Sequence, residues 1–308
     1  MEYSVYIRTL GKGGGKYRAL LNSIDKQTIK PKDVFIVLPY GYNEPKEKLG
    51  YEHFVYCEKG MLKQRIYAIN HATTEYVLLL DDDVEFESKL VEKYFEAIMD
   101  MDADAAISPL SMVVPLTVRN IYQALLFQQT VHFGIRQYYI HLNRLGGYSI
   151  LHRTNEHKNY LTESGHGSHC FAKLSALKDI HFEDELWLED YGYALPDDQV
   201  FFYKLHLLGY KTVVCGNTYF RHLDAKSTGK TTRRDGLMIA KSRNYIIFWK
   251  KFIFRRHSKL TDKVLDIISI IYRISTEFIL YSIPSCLLHR RLSELRFYIK
   301  GILLGIRY

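Results

Sequence analysis

Apolar positions in the first hundred residues switch repeatedly between continuous runs and a helical spacing. Ser4-Val5-Tyr6-Ile7-Arg8-Thr9 reads as a strand, and Tyr17 to Gln27 follows with Leu20, Leu21 and Ile24 on one helical face. Val34 to Leu38 is apolar throughout, as a strand buried on both faces should be. Phe54-Val55-Tyr56-Cys57 gives another short strand and Leu62 to Ala72 a helix. Tyr76-Val77-Leu78-Leu79-Leu80 is the strongest strand of all, and Glu87 to Met101 is again helical. This β-α-β-β-α-β-α order predicts an α/β fold, a largely parallel sheet with helices on both faces.

The middle of the chain, roughly 110 to 170, is rich in Tyr, His and Gly and predicts loops and short helices beside the sheet. Regularity returns with a helix over Asp197 to Leu208 and a strand over Lys211 to Cys215. From about residue 236 the character changes. Val264 to Leu288 holds only three charges, Asp266, Arg273 and Glu277, and at ~100° per residue they fall within roughly 40° of one another. The longest charge-free stretch, Phe278 to Leu288, is too short to cross a bilayer and contains Pro284. Two readings stay open: a helix packed on the catalytic domain or a neighbour, and one lying in a membrane interface. Arg290, Arg291, Arg296, Lys300 and Arg307 beside Leu303, Leu304 and Ile306 favour the interface.

Composition narrows the class. With 308 residues, 47% hydrophobic, 25% charged and only 7 Pro, the chain can build a large core, and collagen-like, low-complexity and disordered readings fall away. The four cysteines, at 57, 170, 215 and 286, form no C-x-x-C pair. That argues against a disulfide framework or zinc ribbon and fits a reducing compartment. MEYSVYIRTL has neither the basic nor the apolar region of a secretory signal, so a cytoplasmic protein is expected. Charge is localised. Between Lys226 and Leu260 stand eleven Lys or Arg against the single acid Asp235, which exceeds the net +8 of the whole chain. Such a block beside apolar helices points to anionic lipid or phosphorylated substrates rather than to nucleic acid, with a solvated helix face as the plain alternative.

The candidate chemistry begins at Asp81-Asp82-Asp83-Val84-Glu85, directly after the strongest strand, where parallel α/β sheets place their ligands. Three adjacent carboxylates repel one another unless a cation neutralises them. Asp oxygens on a short turn suit Mg²⁺ or Mn²⁺, which also bind substrate phosphates. A capping turn explains one acid there but not three. A haloacid-dehalogenase phosphatase pattern wants Thr or Val where the chain has Glu85. The glycine run Gly11-Lys12-Gly13-Gly14-Gly15-Lys16 fails as a P-loop, because Leu10 and Tyr17 stand where Gly and Ser or Thr are required. His157, His166, His169 and Cys170 match no standard zinc spacing.

Taken in order, these motifs resemble the inverting family 2 glycosyltransferases of the GT-A fold, over about residues 3 to 224. The resemblance rests on the opening strand Ser4 to Thr9 and on Leu21-Asn22-Ser23-Ile24 with Gln27-Thr28 and Pro31. It continues through Lys59-Gly60-Met61 with Gln64-Arg65 and the Asp81-x-Asp83 pair, which matches the family's DxD motif. The resemblance implies that Asp81 contacts the nucleotide ribose, with Thr9 and Asp82 also on the nucleotide-sugar side; Arg65 is expected to contact the diphosphate, with a surface ion pair as the equal alternative. It also implies that Asp83, with Asp81 and the late histidine His222, holds Mn²⁺ or Mg²⁺. Pro196-Asp197-Asp198-Gln199, followed by a helix and Leu207-Leu208-Gly209-Tyr210-Lys211, is similar to the family's general-base block. Asp198 is then the implied base, with Asp197 beside it, while a helix N-cap accounts for at least one of the two acids. Glu189-Asp190 is a second match that lacks the helix and Gly-Tyr-Lys behind it. Gly165-x-Gly167-Ser168 resembles an acceptor-side loop. One departure concerns the second strand, where Ile36-Val37-Leu38-Pro39-Tyr40-Gly41 lacks the family's base-contacting acid and leaves Tyr40 or Tyr42 to stack on the base.

The expected organisation is a GT-A catalytic domain over 1–235, with a nucleotide-sugar half to about 110 and an acceptor half after it. A basic, apolar helical tail over 236–308 follows. The expected activity is metal-dependent transfer from a nucleotide-diphosphate sugar, UDP by default, to a glycan or lipid-linked glycan. That acceptor would lie at the cytoplasmic face of an anionic membrane. The alternatives are another sugar-phosphate or nucleotide enzyme, and a non-catalytic sugar-nucleotide-binding partner.

Overall fold

The computed structural model describes residues 2–109, 113–127, 129–134, 138–223, 234–288 and 292–308. Of the basic residues singled out above, Lys226, Lys230, Arg233, Arg290 and Arg291 lie outside them. The chain opens with β1 (Tyr3–Arg8), α1 (Gly15–Asp25), β2 (Asp33–Pro39), β3 (His53–Cys57), α2 (Met61–His71) and β4 (Tyr76–Asp81). It continues through β5 (Val84–Phe86), α3 (Leu90–Met101), β6 (Ala105–Ile107), α4 (Val118–Leu125), β7 (Gln129–His132), β8 (Ile140–Leu142) and β9 (Tyr148–Leu151). Next come β10 (Asn159–Thr162), β11 (His169–Lys173), α5 (Leu174–Asp179), α6 (Asp197–Leu207), β12 (Thr212–Cys215) and β13 (Phe220–His222). The last elements are α7 (Arg234–Phe252), α8 (Leu260–Thr276), α9 (Ile283–Leu288) and α10 (Leu295–Arg307).

These elements group into two compact units. One lies within Met1–Met112, Thr154–Leu186 and Phe201–Lys230, the other within Val113–Arg153, Trp187–Val200 and Thr231–Tyr308. The first unit holds an eight-stranded sheet in the order β10-β12-β6-β11-β4-β1-β2-β3. The pairs β4-β1, β1-β2, β2-β3 and β12-β6 are parallel, while β11 runs antiparallel between β4 and β6. Strands covered on both faces have no polar side to show, which is why β2 and β4 read as continuous apolar runs. Val5, Ile7, Val34, Ile36, Leu78 and Leu80 pack with Leu20, Ile24, Tyr94 and Phe95 of α1 and α3 in one buried cluster.

Residues 129–173 contain five strands where loops and short helices were expected. Each is three to five residues long, too short to carry a period, and their partners are distant in sequence. β11 pairs with β4 across roughly ninety residues, and β7, β9 and β8 form a three-stranded sheet of their own in the second unit. The helix expected from Glu87 starts later, at Leu90, because Val84–Phe86 pairs with β13.

The second unit answers the question of the charged stripe in the packed sense. Asp266, Arg273 and Glu277 are all buried. Arg144 Nη1 donates to Asp266 at 3.0 Å, His257 meets its other oxygen at 2.6 Å, and Lys241 pairs with Glu277 at 2.9 Å. The apolar side chains Val264, Leu265, Ile267, Ile268 and Ile271 are left exposed. The helix leaves α-geometry at Glu277–Ser282 in a π-helical turn just before Pro284, whose ring lacks the N–H for residue 280. No helix among the described residues is long and apolar enough to cross a membrane.

α10 lies tightly against α7 through Gly301 and Gly305. A Cβ on Gly301 would stand 2.0 Å from Ser242 Oγ, and one on Gly305 2.7 Å from Ile246 Cβ. We expect Gly301→Val and Gly305→Val each to cost about 1–3 kcal/mol by overpacking, read as a drop in the urea midpoint. Gly15→Ala, with nothing within 4 Å of its Cβ and no positive φ, should leave that midpoint unchanged or raise it.

Candidate functional site

The acid cluster sits where the sheet delivers it. Parallel pairing of β1 with β4 puts Arg8 in register with Asp81. Arg8 binds both oxygens of that carboxylate, Nε on Oδ1 and Nη2 on Oδ2, the latter at 3.1 Å. Thr9, one residue past β1, donates its hydroxyl to Asp82 Oδ2 at 2.5 Å. Gly11 returns a backbone N–H to the Thr9 oxygen at 3.0 Å. Its φ of +72° and the Asn43 carbonyl 1.9 Å from where a Cβ would stand require glycine there.

Asp83 is placed by a different device. β5 and β13 form a two-stranded antiparallel ribbon in which His222 faces Val84. The Leu223 N–H closes it on the Asp83 carbonyl at 2.7 Å. His222 Nε2 thereby comes within 2.8 Å of Asp83 Oδ1. Among the described residues, Asp81, Asp83 and His222 are the one group of His, Cys, Asp or Glu whose ligand atoms converge, all within 4.8 Å of one another. Two carboxylates and an imidazole suit Mn²⁺ or Mg²⁺, the imidazole favouring Mn²⁺.

Environment separates the three acids. Burial pushes the Asp82 carboxyl up, opposed by the Thr9 hydrogen bond and reinforced by the charges of Asp83 and Asp81. The His222 hydrogen bond holds Asp83 low against its burial, with help from the charge of Lys16 in the first turn of α1. The expected Thr9, Asp81, Asp82, Asp83 and His222 are thus brought together in the first unit. Arg65 lines a small pocket with Arg8, Asp81 and Gly167. It is buried, lies 5.0 Å from the Phe201 ring, and donates to the Gly167 carbonyl at 2.9 Å. Arg8 donates to that same carbonyl at 3.2 Å. Arg8 and Lys16 are the residues the sequence analysis did not assign. A cation ending a buried strand was the available signal for Arg8, but its partner follows only from the β1–β4 register.

Tyr40, at the end of β2, is exposed, whereas Lys59 hydrogen-bonds the Tyr42 hydroxyl and lies over its ring. Asp197 and Asp198 start α6 and belong to the second unit. Asp197 is buried, and its N–H donates to the Ala194 carbonyl at 2.7 Å. The competing pair is tied down, since Arg243 donates to Asp190 at 2.6 Å.

The mostly parallel sheet, ending in a convergent acid–histidine cluster, is an α/β fold of the GT-A type. Residues 53–173 match the family model described as glycosyl transferase family 2. The chain is similar in fold to S. aureus TarS residues 1–349 at 16% identity and TM-score 0.53, over 98% of this chain and 79% of that one. A longer TarS structure aligns at 13% identity and TM-score 0.53, with 98% of this chain covering 48% of it. GalNAc-T7, solved with UDP, GalNAc and Mn²⁺, aligns at 14% identity and TM-score 0.54, over 92% of this chain and 57% of that one. A search of curated proteins by sequence returns no match.

Behind the acids, His169 Nε2 accepts from the Ser108 N–H at 2.8 Å while its ring stacks on Phe220 at 3.6 Å. Burial lowers the His166 pKa to about 4 and holds His169 well below its usual range. An unfolded histidine takes its proton near pH 6.5, so from about pH 6.5 down to 4 the unfolded chain binds protons the folded chain refuses, and stability falls with pH. His166 alone should contribute a slope of up to about 1.4 kcal/mol per pH unit in that window. Urea midpoints at pH 7 and 5 measure it, and His166→Asn should flatten the dependence.

Proposed function

We propose that the protein transfers a sugar, with inversion, from a nucleotide-diphosphate sugar to a hydroxyl of a glycan or lipid-linked glycan. The observation that carries this reading is the convergence of Asp81, Asp83 and His222 at the end of β4. TarS has been solved with UDP-GlcNAc and with UDP, and GalNAc-T7 with UDP and Mn²⁺, which favours a uridine nucleotide and a divalent ion. Asp83, Asp81 and His222 would hold Mn²⁺ or Mg²⁺, which when bound offsets negative charge on the diphosphate. Arg8 holds the Asp81 carboxylate in place through both its oxygens, Thr9 and Asp82 line the donor side, and Tyr40 offers a face to the base. Asp198, with Asp197 beside it, takes the proton of the attacking hydroxyl.

The same reading places the enzyme on the cytoplasmic face of a membrane. Exposed Ile268 and Ile271 of α8 and Leu303 and Ile306 of α10 share the second unit with exposed Arg255, Arg256, Lys259, Arg296 and Lys300. An apolar face with flanking cations suits an anionic lipid surface.

Nucleoside diphosphate release across a panel of sugar nucleotides with Mn²⁺ or Mg²⁺ tests the donor side. One donor should turn over, and EDTA or Asp83→Asn should abolish it. Asp198→Asn should leave donor KM nearly unchanged and lower transfer about 10²- to 10⁴-fold; near-normal turnover would remove Asp198 as base. The anomeric configuration of the product, read by NMR, decides inversion. For the membrane, the full chain should sediment with phosphatidylglycerol vesicles at low salt and not with phosphatidylcholine ones, and Ile268→Asp with Ile271→Asp should release it. No binding to the anionic vesicles would leave a soluble acceptor.

A further inference from the structure

The second unit contains a cavity of about 380 Å³, within the ~300–1,000 Å³ range of small-molecule sites. Its walls come from the Gly146–Tyr148 segment, from Leu195, Pro196 and Gln199, and from α4, β7, α7, α10 and the Arg273–Glu277 stretch. The donor side of the reaction uses none of them. The lining interleaves aromatic rings with amides: Tyr148, Tyr245 and Tyr298 against Gln123, Gln129 and Gln199.

The charges in this wall are already engaged. Lys241 pairs with Glu277 at 2.9 Å. Arg273 gives Nη1 to the carbonyls of Phe127 and Leu145, and its guanidinium lies 3.8 Å from the Tyr245 ring centroid. Two polar atoms are sealed from solvent without a hydrogen-bond partner among the described residues, Tyr245 Oη and Arg273 Nε. Both atoms are shut off from the cavity as well, so the Tyr245 side chain presents its ring to the cavity and not its hydroxyl. Burial pushes the Tyr245 phenol well above its usual range, so this wall of the cavity carries no charge from it. Stacking faces and primary amides around paired charges match the chemistry of an uncharged saccharide: apolar ring faces edged with hydroxyls.

The cavity is also bordered from both sides by the neighbours of the acid pair, Pro196 before it and Gln199 after it. Tyr148 lies within the electrostatic reach of Asp198. We propose that this cavity holds an uncharged sugar unit of the acceptor, adjoining the hydroxyl that Asp198 deprotonates. The proposal rests on the reading of Asp198 as general base. It makes the C-terminal helices part of acceptor recognition, in addition to any contact with lipid.

Saturation-transfer NMR on the full chain tests it with fixed probes: methyl glucoside, methyl galactoside, methyl N-acetylglucosaminide, cellobiose and chitobiose, with methyl glucuronide as the acidic control. At least one neutral probe should receive saturation on its ring protons. Ile302→Trp, which fills the cavity from α10, should weaken that binding at least about tenfold. Gln123→Leu, which keeps the size of the side chain and removes the amide from the lining, should weaken it several-fold. No saturation of any neutral probe, or an undiminished signal in both variants, overturns the proposal, and saturation of the glucuronide alone overturns the uncharged class. Calorimetry with UDP and Mn²⁺ on the same samples separates the two readings. Sugar binding without UDP binding keeps the cavity and removes the donor assignment. UDP binding without sugar binding removes the cavity alone.

Discussion

Three adjacent carboxylates at the end of a buried strand must each be answered by a different neighbour, and the rest of the proposed donor site follows from how that is done. Like charges a few ångströms apart in a poorly solvated place repel by several kcal/mol. Arg8 meets Asp81, Thr9 meets Asp82 and His222 meets Asp83. Two of these partners depend on the parallel register of β1 and β4, and the third on the β5–β13 ribbon. The outcome is graded: Asp83 is held low and ionised by His222, while burial raises Asp82. A cation added to this arrangement would find two carboxylates and an imidazole already aimed at one another.

The second unit solves a related problem the other way round. Charged residues on a surface helix ordinarily face water, yet α8 and the π-helical turn after it bury Asp266, Arg273 and Glu277. Burying them is tolerable because each has a partner. Asp266, with no exposed surface, takes both Arg144 and His257; removing one member of such a set strands an uncompensated charge. What remains outside is mostly apolar: Val264, Leu265, Ile267, Ile268, Ile271 and Tyr272. Inward charge thus produces both the polar wall of the cavity and the exposed apolar face that suits lipid. The close glycine contacts of α10 on α7 set the far side of that cavity.

Much of this was legible in the residues. Continuous apolar runs marked β2 and β4, and helical spacing placed α1, α2 and α6 to within a few residues. The acids after β4 and those opening α6 stood out because clustered carboxylates need a reason. The strands of residues 129–173 were not legible, since segments of three to five residues lack a readable period and owe their form to distant partners. Arg8 was passed over for the same cause, and the charged stripe of α8 showed only that one face differed, not which way it turned.

The sequence by itself determined the α/β class, the place of the candidate metal ligands and the basic, apolar character of the C-terminal region. Those features are carried by composition and by periods that repeat within a single element. Only the tertiary structure decided that Arg8 pairs with Asp81, that α8 buries Asp266 and Arg273, and that three tyrosines and three glutamines line one cavity. Each of these is a meeting of residues far apart in the chain. Such meetings are fixed by strand register and by which charged groups can find partners once water is excluded.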